Sequence, residues 1–356
     1  MTLNYKNLPD NTVLSLIAPT ASGKTNLACR LYETGRFELI SVDSALIYQD
    51  MNIGTAKPSD GELACFPHHL VNIIKPTKTY NVASFVADVE MLITQIHQQG
   101  RIPLLVGGTM MYYMALLDGL SAVPDTDIAT RKMVMAWLDD KGVGELYEYL
   151  QTHDPKICQR LKVTDTQRIT RAVEVYLQTG VPMSVWQQTP KVALCHNPKQ
   201  HWITCSVEPD RMWLHDRIAK RLDIMWEMGL VDEVVSLLKK YPDLTADMPS
   251  MRCVGYRQVI DFLAISGHEV MQTNEYWMGF SSLMQAQWHD FVKKTQKQPV
   301  NPLQMACQDM KNKALYATRQ LAKRQSTWQR SLARLEGTSS LIVPFFSIQE
   351  VQNQLL

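Results

Sequence analysis

The amino-acid sequence predicts an α/β protein: a parallel sheet assembled around a phosphate-binding loop, with a helical domain inserted into it. Three observations predict this. An apolar run, Val13 to Ile17, leads through Ala18-Pro19-Thr20-Ala21-Ser22-Gly23-Lys24-Thr25 into a helix-like stretch, Asn26 to Leu31. Two more apolar runs, Leu39 to Val42 and Ile102 to Val106, are each followed by a turn and a helical pattern, as in βαβ units. From about Ser121 to Pro198, helical patterns separated by turn signals take over.

The first loop has the form GxxxxGK[ST], with Ala18 where the first glycine is usual. Successive backbone N–H groups in such a loop wrap an anion at a helix N-terminus, which carries partial positive charge. Lys24 adds a point charge, the Thr25 hydroxyl suits a magnesium ion, and Gly23 lets the backbone come close to the phosphate. The chain is therefore expected to bind a di- or triphosphate on a sheet of P-loop NTPase type.

The second strand ends in Asp43-Ser44-Ala45, which places Asp43 beside the phosphate loop at the sheet edge. A carboxylate there can bind magnesium or accept a proton; the alternative is a helix N-cap. The third strand ends in Gly107-Gly108-Thr109, without the aspartate that usually follows such a strand in an ATP-hydrolysing enzyme. These residues could bring backbone and hydroxyl donors to a phosphate or substrate, or simply turn the chain.

Within the helical insertion, Ile128 to Leu138, Gly144 to Gln151 and Gln167 to Thr179 read as helices, and Trp202 to Val207 returns to the sheet. The expected organisation is residues 1–120 as the first part of the core, 121–198 as the insertion, and 199–356 as the rest of the core. A helical appendage near 268–310 and a basic C-terminal helix belong to the last part. Between Glu275 and Asn301, Trp277, Phe280, Leu283, Met284, Trp288 and Phe291 recur at helical spacing. Lys293 to Lys297 follow, then Pro299 and Pro302. A helical hairpin packed through that stripe is expected, the alternative being an appendage that contacts tRNA or a partner.

Composition narrows the classes. Of 356 residues, 46% are hydrophobic and the formal net charge is +1, so the total charge neither announces nor excludes a nucleic-acid partner. No apolar run is long enough to span a membrane, and the polar N-terminus does not read as a secretory signal. The seven cysteines are scattered, which suits reduced thiols in a cytoplasmic protein. Cys195, His196, His201 and Cys205 match no standard zinc spacing.

Basic residues cluster from Arg211 to Arg221, at Arg252-Cys253-Val254-Gly255-Tyr256-Arg257, and from Lys311 to Arg334. In the last stretch, Lys323-Arg324-Gln325-Ser326-Thr327-Trp328-Gln329-Arg330 interleaves charge with an aromatic ring. Each segment alone is a plausible solvated helix face. Together, in a phosphate-binding protein, they point to RNA, whose backbone takes the charges and whose unpaired bases stack on rings.

At this point the chain resembles the bacterial tRNA dimethylallyltransferases, or tRNA isopentenyl transferases. The resemblance is carried, in order, by Pro19 to Thr25, Ile40 to Tyr48, Ile53 to Pro58, Leu105 to Thr109, Gln167 to Ala172, Arg252 to Arg257, and Ala317 to Gln325. It implies transfer of a dimethylallyl group from dimethylallyl diphosphate to N6 of the adenosine 3′ of the anticodon, position 37, in tRNAs reading codons that begin with U. It implies Asp43 as general base, Thr109 beside the reacting centre, and Arg217 on the leaving diphosphate. Ala18 to Thr25 would bind that diphosphate, with Mg2+ near Thr25. Contacts to the tRNA anticodon stem-loop would come from Asp43, Ser44, Ala45, Leu46, Thr109, Arg131, Gln167, Arg168, Ile169, Thr170, Arg171, residues 252–257 and residues 323–330. A monomer without membrane contact is expected. Departures from the family pattern are Ala18, Asn52, Asn72, a longer segment between Gly267 and Ala317, and no following zinc finger. Two rival readings are a small-molecule P-loop kinase, which needs ATP and no RNA, and an RNA-binding protein with a vestigial loop.

Overall fold

The computed structural model describes residues 3–295, 301–335 and 341–356. Gln296, Lys297 and Pro299, read above as the end of the appendage, lie outside the described residues. The chain divides into two compact units, one of Met1–Leu116 with Asn197–Leu356 and the other of Leu117–His196.

The first unit holds a six-stranded sheet: β1 (Thr12–Ile17), β2 (Phe37–Val42), β3 (His68–His69), β4 (Ile102–Gly107), β5 (His201–Val207) and β6 (Ile342–Phe345). The order is β3-β2-β4-β1-β5-β6 and every pairing is parallel. β1 and β4 are buried at every position, because helices cover both faces of a parallel sheet. This is why they read as continuous apolar runs. The edges are blunted: β3 is two residues long, and β6 carries Pro344.

Two apolar clusters lie in the first unit, one on the sheet and one among its helices. In one, Leu14, Leu16, Leu39 and Leu104 pack with Leu27 and Leu31 of helix Lys24–Glu33 and with Val351 and Leu355 near the C-terminus. The other is built from helices, with Ile218 and Leu222 of helix Arg211–Glu227, Leu237 of helix Leu230–Lys240, Leu263 of helix Tyr256–Ser266, Trp277 and Ala322. Register sets the carboxyl edge: Gly107 lies level with Ile17 on one side and Val42 on the other. The loops after β1, β2 and β4 therefore leave the sheet side by side, at the edge where ligands bind in open α/β sheets.

The appendage differs from expectation. Helix Glu275–Thr295 and helix Pro302–Leu332 both pack on helix Tyr256–Ser266 rather than chiefly on each other. The aromatic stripe is buried only over its first turns. Trp277 is 0% exposed, and Phe280 and Met284 pack around it, but Leu283 is 56% exposed. No helix among the described residues is long and apolar enough to cross a membrane.

The second unit is helical. Helix Ile128–His153 is a single run broken by a kink at Gly142, whose φ of 78° is non-helical. That glycine lies between the two helices expected from the sequence. Helix Thr166–Thr179 packs against it around Val134, Leu146, Leu150, Ile169, Val173 and Val175. The chain enters and leaves this unit side by side. Leu120 bridges Val192, Lys191 pairs with Asp118, and the Cys195 thiol reaches the Leu117 carbonyl at 3.2 Å.

Candidate active site

The loop after β1 turns into helix Lys24–Glu33 through Gly23, whose φ of +94° suits a residue without Cβ. No side chain caps the helix start, so its first N–H groups stay available to an anion. Ser22 is buried and its Oγ has no hydrogen-bond partner among the described residues. The Lys24 ammonium donates to the Pro19 carbonyl at 3.3 Å. Burial lowers its pKa to about 8; the Asp43 carboxylate acts against that and Arg221 adds to it. Arg217 lies across the loop, its Nε donating to the Ala21 carbonyl at 2.7 Å and its guanidinium 4.9 Å from the Trp213 ring. Arg221 sits one helical turn further on. Burial and Arg217 both lower its pKa while Asp43 raises it.

Asp43 closes β2. Its Oδ1 accepts from Ala45 N at 2.9 Å and Leu46 N at 3.4 Å, which fixes the carboxylate plane. Its Oδ2 has no hydrogen-bond partner among the described residues. The residues it caps form a turn, not a helix. Thr109 joins this turn to β4. Its N–H donates to the Val42 carbonyl at 3.1 Å, and its Oγ1 accepts from Ser44 N at 3.0 Å. The loops after β2 and β4 are thus one hydrogen-bonded assembly.

The proposed RNA contacts divide by burial. Lys323, Arg324, Thr327, Trp328 and Arg330 lie on the exposed face of helix Pro302–Leu332, with Ser326 half-buried. Gln325 and Gln329 are the correction: both are buried and spend their amides inside the protein. Gln329 Nε2 donates to the carbonyls of Ile17 and Val207, each at 3.2 Å. Arg252 and Arg257 are exposed and Cys253 and Val254 half-buried, but Gly255 and Tyr256 are buried. Tyr256 donates to Glu233 at 2.6 Å, and Glu233 also accepts from Asn52 N and Ile53 N. Tyr256 therefore shapes the loop after β2 rather than facing RNA.

In the second unit, Arg131, Gln167 and Arg168 are exposed. Ile169 and Thr170 are buried there, so neither side chain can face RNA. Arg171 is half-buried and bonded to Thr126, the Pro124 carbonyl and Glu174.

Sequence reading placed Arg221 only at the end of a basic cluster and gave it no role on the diphosphate, although its place four residues after Arg217 on one helix was the available signal. No group of three or more His, Cys, Asp or Glu side chains fit to hold a metal occurs among the described residues.

An uncapped helix start behind a Gly-Lys-Thr loop, at the carboxyl edge of a parallel sheet, places this chain among the P-loop α/β proteins. Comparison with known proteins narrows that class. A family model described as IPP transferase matches residues 46–332. A tRNA dimethylallyltransferase of Psychrobacter arcticus is 54% identical, over 94% of this chain and 84% of its own length. The solved tRNA isopentenylpyrophosphate transferase of Bacillus halodurans is 27% identical with a TM-score of 0.54, covering 96% of this chain and 95% of its own. A eukaryotic dimethylallyltransferase acting on tRNA shares the fold at a TM-score of 0.69 and 21% identity, over 97% of this chain and 76% of its own. The chain belongs to the IPP transferase family.

Proposed function

We propose that this protein transfers a dimethylallyl group from dimethylallyl diphosphate to N6 of adenosine 37 in tRNAs reading codons that begin with U. The observation that carries the mechanism is Asp43, with one carboxylate oxygen pinned by backbone and the other unpartnered, beside the phosphate loop. An exocyclic amine is a poor nucleophile because its lone pair is delocalised into the purine. As N6 attacks C1 of the allyl group, the C1–O bond to the diphosphate breaks and the amine proton passes to Asp43 Oδ2. Such general-base help is worth about 10²–10⁴-fold. Thr109, bonded to Ser44, holds the turn in which Asp43 sits.

The leaving diphosphate gains charge as it departs. The backbone N–H groups of Ala21, Gly23, Lys24 and Thr25 and the side chains of Lys24, Arg217 and Arg221 answer that charge. A magnesium ion fits here without a protein cage, since magnesium usually keeps waters and binds through phosphates plus one or two side chains. The exposed Thr25 hydroxyl would hold it, and it would neutralise part of the diphosphate charge. The proposed tRNA contacts are the exposed residues Arg131, Gln167, Arg168, Arg252, Arg257, Lys323, Arg324, Thr327, Trp328 and Arg330, with the turn from Asp43 to Leu46 against the target base. All seven cysteines are free thiols, which suits the cytoplasm.

The test incubates the protein with labelled dimethylallyl diphosphate, magnesium and unmodified tRNA. Label in adenosine is the expected result. ATP consumption without RNA would indicate a kinase instead, and RNA binding without turnover a vestigial loop.

A further inference from the structure

Gln325 comes from helix Pro302–Leu332, far along the chain from the phosphate loop, yet its amide spans two loops of the site. Its Oε1 accepts from Thr20 N at 3.0 Å, and its Nε2 donates to the Gly108 carbonyl at 2.8 Å. The fit is close: a Cβ on Gly108 would fall 2.4 Å from that Nε2. One turn further on, Gln329 bonds the carbonyls of Ile17 and Val207, so the helix is anchored to the carboxyl ends of β1 and β5 as well.

Gly108 is followed by Thr109, whose hydroxyl holds the turn of Asp43. A continuous path therefore runs from Thr20 through Gln325, Gly108 and Thr109 to Ser44 and Asp43. One end of this path would carry the leaving diphosphate and the other the base. We propose that Gln325 is a positioning residue that keeps the phosphate loop and the base-bearing loop in register for transfer. The inference rests on the reaction assigned above. In-line displacement requires amine nitrogen, C1 and leaving oxygen to be aligned, and a displacement of about 1 Å costs on the order of 10²-fold in rate.

Gln325→Met keeps the bulk and removes both hydrogen bonds. Turnover at saturating substrates should fall by about tenfold or more, and the KM for dimethylallyl diphosphate should rise, while tRNA affinity by filter binding stays within about twofold. Gln325→Glu keeps the acceptor for Thr20 N but offers a donor to the Gly108 carbonyl only when its carboxyl is protonated. Its activity relative to wild type should therefore rise as pH falls, which simple loosening of the helix would not produce. A folded Gln325→Met protein with wild-type turnover and KM, or a Gln325→Glu protein whose ratio to wild type is flat with pH, overturns the proposal. If the wild-type protein transfers no dimethylallyl group, the assigned reaction fails. Gln325 is then judged by calorimetry with inorganic diphosphate and magnesium: weaker binding by Gln325→Met supports its role, and equal binding overturns it.

Discussion

At the scale of single residues the site is a division of labour within one carboxylate and among three cations. Asp43 gives one oxygen to the turn that orients it and leaves the other for chemistry. Asp43→Ala should slow single-turnover transfer by about 10²-fold or more while tRNA affinity is retained. A rate within about threefold of wild type would remove Asp43 from the base role. Lys24 gives a pH signature. Its pKa lies at about 8 because burial outweighs the pull of Asp43. The unfolded chain holds that proton up to the ordinary lysine range of about 10.4, so the unfolded state binds more protons between the two values. Stability of the ligand-free protein should rise with pH across that window, because a buried charge is shed. Diphosphate favours the charged lysine, so binding above pH 8 should take up a proton and weaken relative to a Lys24→Met variant. Calorimetry in buffers of different ionisation enthalpy reads that uptake. Identical proton uptake in both proteins would place Lys24 away from the diphosphate.

At the scale of elements, helix Glu275–Thr295 buries one end and exposes much of the rest. Trp277→Ala should cost about 3–5 kcal/mol in denaturant unfolding, since it empties a filled site in the helical cluster. Leu283→Ala should stay within about 0.5 kcal/mol. Equal costs would mean that the stripe is packed along its whole length. On helix Pro302–Leu332, replacing Lys323 and Arg324 with Met should make the salt dependence of tRNA binding shallower by about 0.7–0.9 per lost phosphate contact. An unchanged slope would place both side chains off the RNA. This helix also shows what a single sequence hides. Gln325 and Gln329 read as part of a basic, RNA-facing run. Yet Ala322, Gln325, Gln329 and Leu332 follow the three- and four-residue spacing of a buried face, and all four are buried. Their polarity masked the pattern, because a glutamine that satisfies main-chain groups inside the protein looks the same in sequence as one in water. The sheet behaved differently. β1, β2, β4 and β5 were legible as apolar runs because both faces are covered. β3 and β6, with two and four residues, fell below what periodicity can detect.

At the scale of the whole molecule, each unit has an apolar core of its own. The second unit begins and ends at neighbouring points, held by the Leu120–Val192 bridge and the Cys195–Leu117 hydrogen bond. A short Gly-Ser linker in place of residues 118–195 should therefore leave the remaining unit folded by circular dichroism and able to bind diphosphate. Transfer to tRNA should be lost with Arg131, Gln167 and Arg168. Retained tRNA affinity in that variant would restrict the RNA contacts to the first unit.

The sheet order also sets a schedule for synthesis. β1 lies between β4 and β5, and its partners on β5 lie nearly two hundred residues downstream. At a translation rate of about 5–20 residues per second, β1 waits on the order of 10–40 s for its second neighbour. During that time a strand that ends up wholly buried has at least one unpaired edge beside the ribosome. β6 pairs with β5 only once Ile342 to Phe345 have been made. The phosphate loop is made early relative to its partner, because Thr20 meets Gln325 only 305 residues later. A nascent chain stalled before residue 325 should therefore already contain the whole phosphate-loop sequence and still bind diphosphate poorly.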